Sequence, residues 1–329
     1  MKISVIGTVC FDTITTHDGR QQQSFGGITY NMMALSGIGA SETSIWPIAK
    51  VGANRFEEVE QMAASFPGVR TEGLVRMEQP LTEVELTYQS VSKREEHMRF
   101  VAPPLDLQDV TPALDSDAIL VNFITGMEID LEGLRALRSN TRAVLHLDVH
   151  SKVARWGPEG KGGQKAWVPF SDWREWFPHF DLVQMNEFEC EMVLGERLKA
   201  LPDFLGAACK MLDAGPSAVI VTLGPLGSVI ALRHDGRCYR FHCPALPVDP
   251  VVDTTGCGDC FSAGFCFNYL KSGNAAAANL AANIVAGTNC KTSGLANLAE
   301  ARDALSRISE AFPDLGAKVA SGWLGDPCP

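Results

Sequence analysis

Short runs of apolar residues alternate with helical patterns along this chain. The runs at 118–123, 143–148 and 218–222 are almost continuously apolar, which is typical of strands that are buried on both faces. Further strands are expected at 2–6 and 182–185, and helices at 26–38, 187–194 and 204–212. This order predicts an α/β fold with a mostly parallel sheet and helices on both of its faces. In such sheets, ligands bind beyond the carboxyl ends of the strands.

Two segments depart from this pattern. Residues 84–88 alternate between apolar and polar side chains, residues 98–101 do so in part, and the charged stretch at 93–96 lies between them, as in a β-hairpin. The polar segment 13–23 is also compatible with strands. We interpret these segments as a small sheet outside the main one that acts as a lid, although an ordinary surface hairpin fits the same pattern.

The segment 152–180 is unusual in its content of tryptophan and glycine. Trp156, Trp167, Trp173 and Trp176 flank or follow the glycine-rich stretch 157–163. We expect a long loop followed by a short helix, with the aromatic side chains packed against the body of the protein. No function is assigned to this segment.

The composition limits the classes of function. A formal net charge of −11 argues against a nucleic-acid partner, because phosphate backbones are held by basic surfaces. The first apolar run is too short for a signal peptide, and no run reaches the roughly 18 residues of a membrane span. Ten cysteines occur without a framework spacing, so reduced thiols and a cytoplasmic location are expected, with no membrane partner.

The run 253–264, D-T-T-G-C-G-D-C-F-S-A-G, carries the most specific chemical signal. Two glycines, Gly256 and Gly258, precede a helical pattern, so backbone N–H groups can converge on an anion at the helix N-terminus. Asp259 would lie in the first turn, where a carboxylate could accept the proton of an attacking hydroxyl. From the residues alone, a plain capped helix N-terminus fits equally well.

Two other interpretations, a redox or metal site at 257–260 and a P-loop at 160–162, have weaker support. Cys257 and Cys260 have the C-x-x-C spacing of a redox or metal site, but no second ligand pair occurs in the chain. The stretch Gly160-Lys161-Gly162 is not a P-loop, because no Ser or Thr follows Lys161.

The run D-T-T-G-C-G-D at 253–259 resembles the C-terminal signature of the ribokinase-like (PfkB) carbohydrate kinase family, with Cys257 in place of the usual alanine. Three more elements agree in order and spacing. They are the glycine pair and asparagine Gly26-Gly27 and Asn31, the N-x-x-E element at 186–189, and the T-x-G-x-x-G turn at 222–227. The resemblance extends from residue 3 to about 295. It implies one ribokinase-like domain over 1–329, with lid segments inserted at about 13–25 and 82–103.

The resemblance also implies roles for individual residues. Asp259 would be the catalytic base, and the amides of Gly256, Cys257 and Gly258 would form the anion hole. Glu189 would act on Mg²⁺ through water. The residues expected to bind the acceptor are Asp12, Gly26, Gly27, Asn31 and Asp253. Those expected to bind ATP are Asn186, Thr222, Gly224, Gly227 and Asn283.

The implied activity is ATP-dependent phosphorylation of a sugar or sugar-like hydroxyl. The cofactors are ATP and Mg²⁺, and potassium is an open alternative because relatives often bind it. The sequence leaves two other functions open, a nucleoside kinase of the same fold and a non-catalytic ligand-binding protein. Because the lid strands of relatives sometimes pair, a homodimer through the lid is a further hypothesis.

Overall fold

The computed structural model describes residues 1–16, 18–39, 42–89, 94–160, 162–295 and 298–328. Lys161, from the glycine-rich stretch, and residues 90–93, between the two arms of the predicted hairpin, lie outside the described residues.

The described part of the chain alternates between strands and helices. The strands are β1 (Lys2–Ile6), β2 (Val9–Thr15), β3 (Gln21–Gly27), β4 (Ser44–Gly52), β5 (Leu74–Met77), β6 (Glu83–Tyr88), β7 (Arg94–Arg99), β8 (Ala118–Asn122), β9 (Val144–Asp148), β10 (Ala154–Trp156), β11 (Gly163–Trp167), β12 (Leu182–Asn186), β13 (Ala218–Thr222), β14 (Ser228–His234), β15 (Arg237–Cys243) and β16 (Asp326–Pro327). The helices are α1 (Thr29–Gly39), α2 (Phe56–Ala64), α3 (Leu131–Asn140), α4 (Trp173–Trp176), α5 (Glu187–Leu194), α6 (Leu201–Leu212), α7 (Cys257–Ser272), α8 (Ala275–Asn289), α9 (Ile308–Ala311) and α10 (Pro313–Ala320).

The larger sheet has the strand order β16-β15-β14-β13-β12-β9-β8-β1-β4-β5. The strands from β13 to β5 in this order run parallel to one another, whereas β14, β15 and β16 pair antiparallel at one side. The predicted strand at 118–123 ends at Asn122, and the predicted helix at 26–38 begins three residues later, at Thr29. The mostly parallel sheet predicted from the sequence is therefore confirmed.

Helices cover both faces of this sheet because its central strands are apolar on both faces. In β8, Ala118 and Leu120 belong to one buried cluster, and Ile119 and Val121 belong to the other. Helices α1, α7 and α8 contribute to the first cluster, and α3, α5 and α6 contribute to the second. This arrangement confirms the predicted fold class.

A second, six-stranded sheet lies outside the first, with the order β10-β11-β7-β6-β2-β3. Strand β2 pairs antiparallel with β3 and parallel with β6, which forms a hairpin with β7. These strands overlap the lid segments predicted at about 13–25 and 82–103. The edge strand β3 carries the exposed glutamines 21–23, and dimerisation through this sheet stays a prediction.

The prediction of a long loop at the start of the tryptophan-rich segment is wrong. Strands β10 and β11 pair antiparallel there, and β11 joins β7 at the edge of the second sheet. Trp156 is 2% exposed, and its Nε1 donates to the Thr125 carbonyl at 2.9 Å. Trp173 and Trp176 are also buried, as expected, whereas Trp167 is 48% exposed.

One pair of cysteines departs from the expectation of reduced thiols. Cys209 in α6 and Cys328, directly after β16, are joined in a disulfide, which ties the last strand to the body of the protein. None of the helices in the described ranges combines the length and the apolar composition that a membrane span requires.

Candidate active site

Several polar residues converge where the parallel strands of the larger sheet end. Asn122 is the last residue of β8, Asp148 is the last residue of β9, and Asn186 is the last residue of β12. The N-terminus of α7 faces this edge, because Gln184 of β12 donates to the Gly258 carbonyl at 3.0 Å. The fold therefore brings the run 253–264 to the carboxyl ends of the strands, where ligands bind in such sheets.

Asp259 is held by two buried asparagines. Asn122 Nδ2 donates to Asp259 Oδ1 at 2.6 Å and to Asn31 Oδ1 at 2.9 Å. Asn31 Nδ2 in turn donates to the Asp259 carbonyl at 2.9 Å and to Ser262 Oγ at 3.1 Å. Asn31 was predicted to bind the acceptor, but here it connects α1 to the first turn of α7.

The electrostatic surroundings of Asp259 suit a base that works near neutral pH. Burial raises the pKa of this carboxyl from 3.8 to about 6, and the nearby charge of Asp12 acts in the same direction. The hydrogen bond from Asn122 opposes this rise in pKa. Asp259 is consequently ionised above about pH 6, where it can accept a proton.

The turn that precedes α7 depends on a glycine. Gly256 has a φ of +74°, and a Cβ there would lie 2.1 Å from Cδ1 of Tyr30. A Cβ at Gly258 would meet nothing within 4 Å, so this residue faces open space. The N–H of Cys257 already donates to the Thr254 carbonyl at 3.2 Å. Of the three amides predicted to bind an anion, those of Gly256 and Gly258 are therefore the better candidates.

Asp12 lies on β2, opposite β3, and it depends on the glycine pair. A Cβ at Gly26 would lie 2.0 Å from Asp12 Oδ2, so the carboxylate occupies the space that a side chain would fill. Gly27 has a φ of +64°, and its missing Cβ leaves room for the Thr8 carbonyl. Cys10 Sγ donates to Asp12 Oδ1 at 3.2 Å.

The predicted acceptor residues share one electrostatic neighbourhood. Burial raises the pKa of Tyr30, and the charges of Asp12, Asp253 and Asp259 raise it further. These carboxylates thus lie near the same ring. Asp253 also accepts hydrogen bonds from Thr255 N at 2.9 Å and Ser293 Oγ at 3.2 Å, which hold its pKa below the usual value although burial opposes this. Asp253 therefore shapes the loop before α7, and its contact with an acceptor stays a prediction.

The predicted nucleotide residues fall into two groups. Asn186 and Glu189 form a capping box at the start of α5, with Glu189 Oε2 accepting from Asn186 N at 2.9 Å. Thr222 pairs with Asn186 across β12 and β13, so both lie at the same sheet edge. The turn after Thr222 requires glycine at two positions, since Gly224 and Gly227 have φ values of +53° and +90°.

The side-chain amide of Asn283 is already hydrogen-bonded, and its partner Ser228 pairs with Thr222 across β13 and β14. Asn283 is 5% exposed, and its Nδ2 donates to Ser228 Oγ at 2.8 Å and to the Asn279 carbonyl at 2.9 Å. These contacts tie α8 to β14. The contact of Asn283 with ATP stays a prediction.

Sequence reasoning missed three polar residues beneath the site, Asn122, Asp148 and Gln184. Gln184 Nε2 donates to Asp148 Oδ2 at 3.2 Å, and burial raises the pKa of Asp148 well above its usual value. The charges of Asp259 and Glu189 act on Asp148 in the same direction. The signal in the sequence was the position of these residues, because Asp148 ends a predicted buried strand, and Asn122 and Gln184 each lie one residue before the end of another.

A lysine of the second sheet adds a cation near Glu189. Lys165 Nζ lies 2.9 Å from Glu96 Oε2, and the two side chains are only 12% and 14% exposed. Burial raises the pKa of Glu189 to about 7, and the charge of Lys165 opposes this rise. Glu189 therefore exchanges its proton near neutral pH.

The donor set fits a hydrated magnesium ion better than a directly bound metal. The described residues contain no group of three or more His, Cys, Asp or Glu side chains placed to hold a metal ion. Both oxygens of Glu189 accept hydrogen bonds from Asn186, so this carboxylate would act on a cation through water.

Comparison with known proteins supports the resemblance seen in the sequence. Residues 164–302 match the model of the pfkB family carbohydrate kinases, the family that the sequence motifs resemble. A pyridoxal kinase of Deinococcus radiodurans is 32% identical over 108 residues, covering 30% of this chain and 36% of that protein. A deoxyribokinase of Salmonella typhi is 34% identical over 98 residues, covering 30% of each. The chain thus aligns with about a third of the length of these curated relatives.

The likeness to solved structures extends over nearly the whole chain. The structure of Arabidopsis thaliana ribokinase complexed with ribose and ATP superposes with a TM-score of 0.71 and 17% identity. The match covers 93% of this chain and 97% of the ribokinase. At this identity the likeness establishes the fold, which is ribokinase-like.

Proposed function

We propose that this chain, which has a ribokinase fold and a pfkB family region at 164–302, transfers the γ-phosphoryl group of ATP to a hydroxyl of a small neutral acceptor. The observation that carries this proposal is the position of Asp259. Its carboxylate lies in the first turn of α7, beside the amides of Gly256 and Gly258, and interacts electrostatically with Asp12 of the second sheet.

The reaction needs one proton transfer and one phosphoryl transfer. Asp259 accepts the proton of the acceptor hydroxyl as that oxygen forms a bond to the γ-phosphorus, and the bond from the γ-phosphorus to ADP breaks. The amides of Gly256 and Gly258 hold the charge that develops on the phosphoryl oxygens. With a pKa of about 6, Asp259 is ionised at pH 7 and can accept the proton. Its protonated form can then hold that proton during the transfer.

The charges around the site favour a neutral acceptor. Asp12 interacts electrostatically with Asp259, which is ionised at pH 7, so an acceptor that carries phosphate or carboxylate would be repelled. The nearby cation Lys165 is already paired with Glu96. Asp12 can accept hydrogen bonds from two adjacent hydroxyls, which suits the ring of a sugar or the ribose of a nucleoside.

The nucleotide would occupy the neighbouring sheet edge, beside Asn186, Thr222 and the glycines of the following turn. Magnesium bound with ATP would supply positive charge at the phosphates, and Asn186 and Glu189 would hold its water ligands. Ionised Glu189 stabilises that charge, so nucleotide binding should release the proton that Glu189 retains near pH 7.

An ATP-consumption assay with magnesium, with and without potassium, tests the proposal. The acceptor panel should contain pentoses, hexoses, phosphorylated sugars, keto-sugar acids, nucleosides and pyridoxal, with products identified by mass. We expect a phosphorylated product from a neutral sugar or nucleoside. In Asp259→Asn, turnover should fall by about 10²-fold or more while ATP still raises the melting temperature.

The matched control is Asp213→Asn, which removes an aspartate whose side chain is 79% exposed. It should keep the activity of the unmodified chain. If Asp259→Asn turns over normally, Asp259 is not the base. If ATP or an acceptor binds but the whole panel gives no product, a non-catalytic binding protein becomes the better account.

A further inference from the structure

Two thiols from different helices meet beside the proposed anion hole. Cys257 is the first residue of α7, and Cys290 directly follows the last residue of α8. Their Sγ atoms lie 3.2 Å apart. A disulfide bond of about 2.05 Å therefore requires the sulfurs to approach by little more than 1 Å.

The two thiols are more exposed than their neighbour Cys260, and Asn289 holds Cys257 in place. Cys257 and Cys290 are both partly exposed, whereas Cys260, the C-x-x-C partner of Cys257 in the sequence, is 0% exposed. Asn289 Nδ2 donates to Cys257 Sγ at 3.3 Å and to the Thr255 carbonyl at 2.9 Å. The pair is therefore fixed in place and accessible to a small oxidant.

We propose that Cys257 and Cys290 form a reversible disulfide when a hydroperoxide oxidises them, and that this disulfide suppresses phosphoryl transfer. The first part stands on the position of the two sulfurs alone. The second part rests on the proposed kinase function.

The chemistry balances with one peroxide for each pair of thiols. The Cys290 thiolate attacks one oxygen of hydrogen peroxide, the O–O bond breaks, and a sulfenic acid forms while the departing hydroxide takes up the proton that the thiol had lost and leaves as water. Cys257 Sγ then attacks the sulfenic sulfur, the S–O bond breaks, and a second water leaves. Two thiols are oxidised, one peroxide is reduced, and a dithiol such as dithiothreitol reverses the change.

Cys290 is the thiol suited to the first attack. The hydrogen bond from Cys257 lowers the pKa of Cys290 to about 7, although burial opposes this. The same contact, with burial, raises the pKa of Cys257. Cys290 thus supplies the thiolate, and Cys257 resolves the sulfenic acid.

The disulfide would disturb the site because both cysteines belong to backbone that shapes it. Cys257 lies between Gly256 and Gly258, whose amides are proposed to hold the transferring phosphoryl group. The Cys290 carbonyl accepts from Val252 N at 2.8 Å, one residue before Asp253. Drawing the sulfurs together displaces the start of α7 against this loop. A displacement of about 1 Å at a reacting centre can lower turnover by as much as about 10²-fold.

Peptide mass spectrometry tests the bond without any assay of activity. After treatment with a slight excess of hydrogen peroxide and alkylation, trypsin should release peptide 241–271 joined to peptide 272–291, which contains Cys290 as its one cysteine. Fragmentation should assign the link to Cys257, and dithiothreitol should remove it. Cys290→Ser should lack the link, whereas Cys238→Ser, a matched change at another partly exposed thiol, should keep it.

The activity arm separates this proposal from the kinase proposal. Turnover should fall about tenfold or more as the link forms and should return with dithiothreitol, while Cys290→Ser and Cys290→Ala stay active in peroxide. A sulfinic acid at Cys290 without a link, or a link to Cys260, would overturn the assigned pair. A complete link with unchanged turnover would overturn the suppression of phosphoryl transfer. If no panel member is phosphorylated even before oxidation, the kinase proposal fails while the peptide result still decides the disulfide.

Discussion

The side-chain amide of Asn122 donates a hydrogen bond of 2.6 Å to the carboxylate of Asp259, 137 residues later in the chain. The same amide also donates to Asn31 Oδ1, and Asn31 donates to the Asp259 carbonyl. Three elements, β8, α1 and α7, are joined by these contacts. The proposed base is therefore positioned by the ends of elements that the packing of the large sheet brings together.

Replacing Asn122 with alanine should move the pH dependence of catalysis. The hydrogen bond from Asn122 lowers the pKa of Asp259, so its loss should raise that pKa above about 6. Because the base must be ionised, the acidic limb of kcat/KM should move to higher pH. Activity at pH 7 should fall by about two- to tenfold and recover in part at pH 9. The measurement is kcat/KM between pH 5 and 9.

The control for this change is Asn268→Ala, which removes a different buried side-chain amide, that of Asn268 in α7. Asn268 Nδ2 donates to the Gly264 carbonyl at 2.7 Å, so its loss should lower stability without moving the acidic limb. An unchanged acidic limb in Asn122→Ala would show that Asn122 has only a structural role.

Asp259→Asn should stabilise the folded protein at alkaline pH even as it removes catalysis. The pKa of Asp259 is about 6 in the folded state and near 3.8 in the unfolded state. Between these two pH values the unfolded state therefore binds fewer protons than the folded state. Stability therefore falls as pH rises from about 4 to 6, and the loss is complete above pH 6. The variant avoids this loss, which is worth about 1–3 kcal/mol.

Thermal denaturation at pH 8 and at pH 4 measures this effect. The melting temperature of Asp259→Asn should exceed that of the unmodified chain at pH 8, and the difference should shrink at pH 4. Asp213→Asn should show no such gain at pH 8. A lower melting temperature for Asp259→Asn at pH 8 would contradict the raised pKa.

The fold could be predicted because its signal is local. Buried parallel strands are continuously apolar, and the interval 218–222 corresponds to β13 without any shift. Strands β10 and β11 gave no such signal, since they have three and five residues and are separated by a stretch rich in glycine. The second partner of β11 is β7, which is distant in the sequence.

The site was predictable where the backbone itself imposes the residue type. Gly27 and Gly256 have positive φ values, which favour glycine, so the requirement for these residues is visible in the sequence motif. Asn122 and Gln184 lie within apolar runs, and only their contacts with α7 give them a role. Cys257 and Cys260 have a C-x-x-C spacing in the sequence, which alone is weak evidence for a site, and in the structure Cys260 is buried in the core.

Gly26→Ala should weaken binding of the acceptor while leaving the nucleotide site intact. The new Cβ would lie 2.0 Å from Asp12 Oδ2, so the carboxylate must move away from the position that is proposed to receive acceptor hydroxyls. We expect kcat/KM for the acceptor to fall by about 10-fold or more, with little change in KM for ATP. The measurement is steady-state kinetics with each substrate varied in turn.

The matched control is Gly206→Ala in α6, where an added Cβ meets nothing within 4 Å. Alanine should be neutral or stabilise this helix by about 0.5–1 kcal/mol, with normal kinetics. Equal losses for the acceptor and ATP in Gly26→Ala would indicate general misfolding instead of a displaced Asp12.

The two glycines of the proposed anion hole should differ sharply in their tolerance of alanine. Gly256 has a φ of +74° and its added Cβ would lie 2.1 Å from the Tyr30 ring, so Gly256→Ala should destabilise the protein by about 1–3 kcal/mol. At Gly258 the Cβ meets nothing within 4 Å, so Gly258→Ala should keep the melting temperature. Its methyl group would instead project into the space proposed for the phosphoryl group, raising KM for ATP. Thermal denaturation and ATP kinetics of both variants measure the contrast, and equal destabilisation by the two changes would contradict the geometry of this turn.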